Sequence, residues 1–323
     1  MIKPSTRLAA STAALLGLMS PAFGEIMLNE NFTVSGYIAG AYTSMDPDPG
    51  PAADTLGINS AQVLFKADYA PVTAVTSLYY VPNASPDETT VLDAYATYTT
   101  AGGVAITGGQ FLSYLGYESF FNINNPFISF ANGDFLGAIP AYHSGLKFDA
   151  SAGGVGMGIA VLDSVYGGSI FHGDGELKTN TGFEGYLNYT GVEGLTLFGG
   201  VAVDNDNALL PDDVITFNFW GSYDISDTMN VAAEYTDKDG GAGGKGYNWL
   251  AQLKLALTPQ FSLTGRLSGE DIDGGASFMK YSIAPGFEVT EHLTVRAEYS
   301  YQDYKDFALD SAQFFGIQGF VKF

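Results

Sequence analysis

The residues able to do chemistry in this chain are mostly charged side chains in pairs. Lys66 and Asp68, Lys147 and Asp149, Arg266 and Glu270, Lys280 and Glu288, and Arg296 and Glu298 each share one extended segment or its immediate end. Every pair has an even spacing, so in an extended chain each pair points to one side. Random placement would give that about one time in thirty-two by parity counting. The opposite side is apolar: Val63, Phe65 and Ala67 flank the first pair, Leu263 and Leu267 the third, Val295 and Ala297 the fifth. A charge on a lipid-facing side at mid-membrane costs about 2–4 kcal/mol for Arg or Lys. The charged side must therefore be wet. By the same parity, the wet side carries Lys66, Asp68, Asp93, Lys147, Glu184, Glu234, Lys254, Arg266, Lys280, Arg296 and Glu298.

Other chemistry is weaker. His143 and Ser144 are adjacent, so in a strand they face opposite sides and cannot act as base and nucleophile. His172 and His292 have no partners at metal-ligand spacing. Asp46-x-Asp48 and Asp204-x-Asp206 could hold a calcium ion; ordinary solvated loop acids are the simpler reading, so no cofactor is expected. The glycines of 153–158 precede neither a helix nor a lysine and make no phosphate loop.

The elements carrying these pairs read as strands. The last stretch, Ser311–Phe323 (SAQFFGIQGFVKF), alternates with period two and ends on an aromatic. From Asn31 onward about sixteen such segments follow one another, and their connections alternate between long and short. The long ones include Met45–Thr55, Phe111–Pro140, Asp204–Asp213 and Asp237–Lys245; the short ones include Ala101–Gly103 and Thr258–Gln260. Strand backbone in lipid must be bonded on both edges, which only a closed sheet provides. The expectation is an all-β, transmembrane, antiparallel up-and-down β-barrel of 16–18 strands. Such a count leaves a lumen wide enough for water.

Aromatics support a membrane barrel over a soluble one. Tyr69, Tyr98, Tyr189, Tyr223, Phe287 and Phe323 fall near the short turns. Tyr42, Tyr142, Tyr235, Trp249 and Tyr301 fall near the long loops. Two belts at the interfaces are where amphipathic rings are favoured. Composition agrees: 41 glycines, 20 tyrosines and 23 phenylalanines fit many strands joined by turns. Cysteine is absent, which excludes a disulfide framework and thiol chemistry. With 35 acidic against 13 basic residues the chain is no nucleic-acid partner. Lys3 and Arg7, the apolar Leu8–Met19 and Ala22-Phe23-Gly24 read as a cleavable export signal over 1–24, leaving a barrel domain over 25–323.

The third long connection, Phe111–Pro140, is too aromatic to stand in solvent. It is expected to fold inward and narrow the lumen, with Tyr114, Tyr117, Glu118, Asn122, Asn124, Asn125 and Asp134 lining the constriction; a compact lid on top is the alternative.

With these residues in view, the chain resembles Gram-negative general porins. More narrowly, GGQFLSYLGYESFFNINNPFISF followed by IPAYHSGLKF resembles the OmpL-like β-barrel porin family, through Gly116-Tyr117-Glu118, the Asn-rich stretch and Tyr142-His143-Ser144-Gly145. The resemblance implies a passive channel in the cell outer membrane, passing small hydrophilic solutes and ions among outer-membrane lipids. It also implies a homotrimer and a terminal Phe323 read by the barrel-assembly machinery. Acidic outer loops would attract cations and make the channel weakly cation-preferring. The alternatives are an adhesin or structural barrel with an occluded lumen, and a barrel lipase, which would need a Ser–His pair on the lipid face.

Overall fold

The structure is a computed structural model that describes residues 25–82, 88–131, 135–167, 181–205, 213–241 and 243–323. The export signal expected at 1–24 lies outside the described residues.

The alternation of apolar and polar residues produces seventeen strands among the described residues, all in one sheet. A short β1 (Ile26–Asn29) turns into β2 (Phe32–Asp48), which pairs with β3 (Ala53–Tyr69). Then follow β4 (Val72–Tyr80), β5 (Thr89–Thr99), β6 (Ala105–Leu112), β7 (Tyr142–Ala152), β8 (Val155–Leu162) and β9 (Gly182–Tyr189). The far side is β10 (Leu195–Asp204), β11 (Val214–Ser226), β12 (Met229–Asp239) and β13 (Gly246–Ala256). The last four are β14 (Phe261–Ile272), β15 (Ser277–Glu288), β16 (Leu293–Lys305) and β17 (Ser311–Lys322). Each pairs antiparallel with its neighbour in sequence, and β17 pairs with β2 from Lys322↔Tyr37 to Ser311↔Asp48. Sixteen strands, β2 to β17, thus close into a barrel with no free edge, as backbone in lipid requires.

The seam has one feature the sequence did not announce. β3 occupies one edge of β2, and β17 occupies the other from Tyr37 upward. Phe323 and Gly36 exchange two backbone hydrogen bonds of 2.8 and 3.0 Å. Below them β1 pairs with Val34 and Thr33, so it continues along the edge where β17 stops.

Period two sorts the side chains. On β8, Val155, Met157, Ile159 and Val161 face out, with Ile159 64% exposed, whereas Ala160 and Leu162 face in and are buried. The same apolar outer band runs round the barrel through Leu187, Leu197, Phe217, Leu253, Ile283 and Ile317. Water would not tolerate so large an apolar surface; hydrocarbon does. Tyr69, Tyr98, Tyr189, Tyr223 and Phe287 are exposed on this face at the short-turn end, as are Tyr235 and Tyr301 at the other end.

Two expectations need correction. Most of Met45–Thr55 is not loop: Met45↔Ala53 and Ser44↔Asp54 are paired, and only 49–52 connect the strands. The wall simply rises higher there than the acidic, proline-containing sequence suggests. Tyr142 is not in the outer belt either. As the first residue of β7 it sits where the chain leaves the lumen segment, 3% exposed, with its ring 5.2 Å from Phe120.

Candidate functional site

The segment between β6 and β7 lies against the inner wall, and its residues decide what fills the lumen. A segment without strand pairing must satisfy its backbone N–H and C=O groups elsewhere. Here wall carboxylates take the N–H groups. Glu184 accepts the Ser113 hydroxyl at 2.6 Å and the Tyr114 N–H at 3.0 Å. Glu234 accepts the Tyr117 N–H at 2.7 Å and the Asn218 amide at 2.8 Å. Glu298 accepts the N–H groups of Ile128 and Ser129 and the Ser129 hydroxyl at 2.6–2.8 Å. Glu270 accepts those of Phe135 and Leu136 at 2.7 Å each. Hydrogen bonds to a charged group are each worth about 1.5–3 kcal/mol, so four glutamates on four strands form strong clips.

Wall cations take the carbonyls. Lys280 donates to Phe130 at 2.8 Å and Lys238 to Leu136 at 2.9 Å. Arg296 donates to the carbonyls of Asn122 and Asn125 and to Gln318. Arg266 meets Glu118 at 2.5 Å and Glu298 at 3.7 Å, and its guanidinium lies 4.0 Å from the centre of the Phe127 ring. Glu118 in turn accepts the Ala131 N–H at 2.7 Å, folding the segment on itself.

Apolar packing completes the seat. Phe121 and Ile123, in and beside a 3-10 turn over Asn122–Asn124, pack with Tyr37, Tyr79, Leu92 and Phe320 of the wall. Tyr114 and Leu115 pack with Ala160, Leu162 and Ala202. Asn125 folds back on Ser119 through 2.8 and 2.9 Å bonds, while Asn124 is exposed. Asp134 lies outside the described residues.

The remaining wet-side charges do not clip the backbone of the segment in this way. Lys66 is half-buried and Asp68 exposed near the short-turn end, where Asp68 accepts the Thr73 hydroxyl at 3.4 Å. Asp93 is buried and bonded to Ser77 at 2.6 Å and to the Tyr142 hydroxyl at 3.4 Å. The Lys147 ammonium lies over the rings of Phe111 at 4.6 Å and Tyr114 at 5.2 Å. Lys254 is exposed. Most of the wet-side carboxylates and cations from β9 to β16 are thus spent on the inner segment.

Other candidates resolve simply. His143 Nε2 lies 3.6 Å from Glu184, while the Ser144 N–H bonds Asp163, so the two share no partner. Asp204 is not a solvated loop acid: it ends β10, fully buried, and accepts the Ser164 hydroxyl and the N–H groups of Val165 and Tyr166 at 2.6–2.8 Å. Its partner in the calcium reading, Asp206, and also His172, lie outside the described residues. Asp46 and Asp48 are exposed near the top of β2. No group of three or more His, Cys, Asp or Glu suited to a metal occurs among the described residues.

The candidate residues read from the sequence did not include Lys238, Asn218, Gln318 and Ser129, which act as clip residues. The first three carry the wet-side parity of their strands, and that signal could have found them.

The sequence matches the model of the family described as "Putative beta-barrel porin-2, OmpL-like" over residues 31–319. No curated protein matches it. Among solved structures, the fold is similar to OmpF of Salmonella typhi in complex with daunomycin, at 14% identity and TM-score 0.71, covering 93% of this chain and 100% of that one. It is similar to the anion-selective porin of Comamonas acidovorans at 11% identity and TM-score 0.69, covering 90% and 99%. It is also similar to the trimer form of in-vitro-folded OmpT of Vibrio cholerae, at 16% identity and TM-score 0.67, covering 91% and 100%.

Proposed function

Because the chain belongs to the OmpL-like β-barrel porin family, we propose that it is an outer-membrane porin, a channel for passive diffusion of small hydrophilic solutes and ions narrowed by the segment between β6 and β7. The observation that carries this reading is the ring of wall glutamates and cations clipped to one inner segment inside a closed barrel with an apolar outer band. A clipped segment sets the bore of the passage without chemistry of its own, so the reading is a channel and not an enzyme. The exposed acids at the rim, Asp46, Asp48 and Asp54, support a weak cation preference. A homotrimer is part of the proposal, supported by the fold shared with OmpT in its trimer form. So are export through a signal over 1–24 and assembly read from Phe323.

A second reading, a structural barrel with a closed lumen, is favoured by one observation. Mid-height wall charges are almost wholly covered: Glu298 is 0%, Arg266 2% and Glu184 3% exposed. Liposome swelling separates the two. Vesicles carrying the purified protein should swell in small hydrophilic solutes; impermeant vesicles would establish the closed barrel instead.

A further inference from the structure

The inner segment leaves the lumen through residues 135–138, which have no strand partner, so their carbonyls need donors from elsewhere. Two of the carbonyls go to the wall: the Lys238 ammonium reaches that of Leu136 at 2.9 Å and that of Gly137 at 3.3 Å. The next one does not. The buried Ala138 carbonyl accepts the phenol O–H of Tyr166 at 2.8 Å, and Tyr166 lies on the turn that follows β8. A phenol has one proton to give, so the Thr216 hydroxyl, 2.6 Å away, donates to the Tyr166 oxygen. Thr216 on β11 and Lys238 on β12 are directly opposed in the register, and the Lys238 ammonium lies 4.7 Å from the centre of the Tyr166 ring.

The turn that carries this phenol is firmly mounted. Asp163, Ser164 and Val165 are all buried. Asp163 accepts the N–H groups of Ser144 and Ser164 at 3.0 and 2.9 Å. One oxygen of the buried Asp204 carboxylate accepts the Ser164 hydroxyl and the N–H groups of Val165 and Tyr166. The Ser164 oxygen in turn accepts the Gly167 N–H. The wall gives way beneath the turn: Gly182 lies opposite both Leu162 and Asp204, and a Cβ there would stand 2.7 Å from the Val165 nitrogen. Connections between strands normally run over the surface and need no buried carboxylates to hold them. What this mount fixes is one hydroxyl, aimed at one carbonyl of the inner segment.

We infer that the turn over 163–167 is a latch on the inner segment, with Tyr166 as its positioning residue. It rests on the porin reading and names a control on that same passage. Tyr166 acts through the segment and not on a solute. Glu270 holds the N–H side of the exit leg, at Phe135 and Leu136. Lys238 and Tyr166 hold the carbonyl side, from 136 to 138. The leg is thereby fastened against β11 and β12, and release of the latch lets it swing and widen the bore.

The test compares the full-length protein with Tyr166→Phe, which removes one hydroxyl and keeps the ring over Lys238. Hydrogen exchange is followed in detergent, and single-channel current is recorded in KCl. Tyr166→Phe should exchange the amides of 137 and 138 roughly tenfold faster, the equivalent of about 1.4 kcal/mol. It should also occupy a wider current level correspondingly longer, with the folded band on a gel unchanged. Thr216→Val leaves the phenol its bond to Ala138 but not its orientation. It should give a smaller rise in exchange, and no further rise when added to Tyr166→Phe, because both act on one chain of bonds. If Tyr166→Phe does not fold, a rise with Thr216→Val carries the same decision. Unchanged exchange in the folded variants, or a Thr216→Val effect that adds in full to Tyr166→Phe, would overturn the latch. Faster exchange with an unaltered current would overturn its control of the bore. These outcomes leave the porin reading intact. Absence of KCl conductance in the wild-type protein would overturn that reading, and the exchange rates would still decide the latch.

Discussion

Glu298 and Ser129 are 169 positions apart, yet one carboxylate accepts both the backbone N–H of Ser129 at 2.8 Å and its hydroxyl at 2.6 Å. A two-point grip of this kind fixes position and orientation together. The same carboxylate holds the Ile128 N–H and faces Arg266 at 3.7 Å. Glu298→Ala should therefore free the middle of the inner segment. Each N–H left without a partner in a covered site costs about 1–3 kcal/mol. The expected result is a larger and noisier single-channel conductance and a lower temperature for loss of the compact band on a gel. A conductance identical to wild type would show that the grip does not set the bore.

Removing the segment is the blunt form of the same experiment. Deletion of residues 116–137 leaves all sixteen barrel strands intact. Single-channel conductance should rise several-fold. If it stays the same, the segment does not narrow the passage.

Arg266 is a covered cation held between carboxylates. It is 2% exposed and faces Glu118 and Glu298. Truncating one partner of a buried charge pair typically costs about 3–5 kcal/mol, because the other charge is left uncompensated. Arg266→Met should lower stability in urea by that order. Arg266→Met combined with Glu118→Gln should recover part of the loss, and a double variant as unstable as the single one would argue against direct coupling.

Charge selectivity is read from a reversal potential across a KCl gradient. A modest potential favouring K⁺ is expected. It should shrink as salt rises from 0.1 M to 1 M, since the screening length falls from about 10 Å to 3 Å. Neutralising Asp46, Asp48 and Asp54 together should reduce it further. A clear preference for chloride in the wild type would reject the assignment.

Deleting Phe323 removes both backbone bonds it exchanges with Gly36 at the seam. Folded protein recovered from the outer membrane should fall sharply. Phe323→Leu keeps the two backbone bonds, so it separates seam closure from recognition of the aromatic. If both variants assemble like wild type, neither role stands.

Much of the architecture was legible in the chain itself. Even-spaced pairs such as Lys147 and Asp149, against the apolar Leu146 and Phe148, carry strand, wet face and dry face together, because a side chain in a strand has only two directions to choose from. Tyr142 escaped that rule. It stands where the strand ends and the chain turns inward, and parity has no meaning once the pleat stops. Asp204 escaped it for a related reason: at the tip of β10 an aspartate reads as solvent-facing, and only the folded-back 164–166 backbone makes it an acceptor.

The period of two by itself determined that the protein is a closed sheet of about sixteen strands with a charged interior. Local sterics and the rule that backbone in lipid stays bonded admit little else. What fills that interior was decided only by the tertiary structure. The inner-segment partners of Glu184, Glu234, Glu270 and Glu298 lie 70 to 170 residues away in the chain. No local spacing encodes a contact that exists only after the sheet has closed around it.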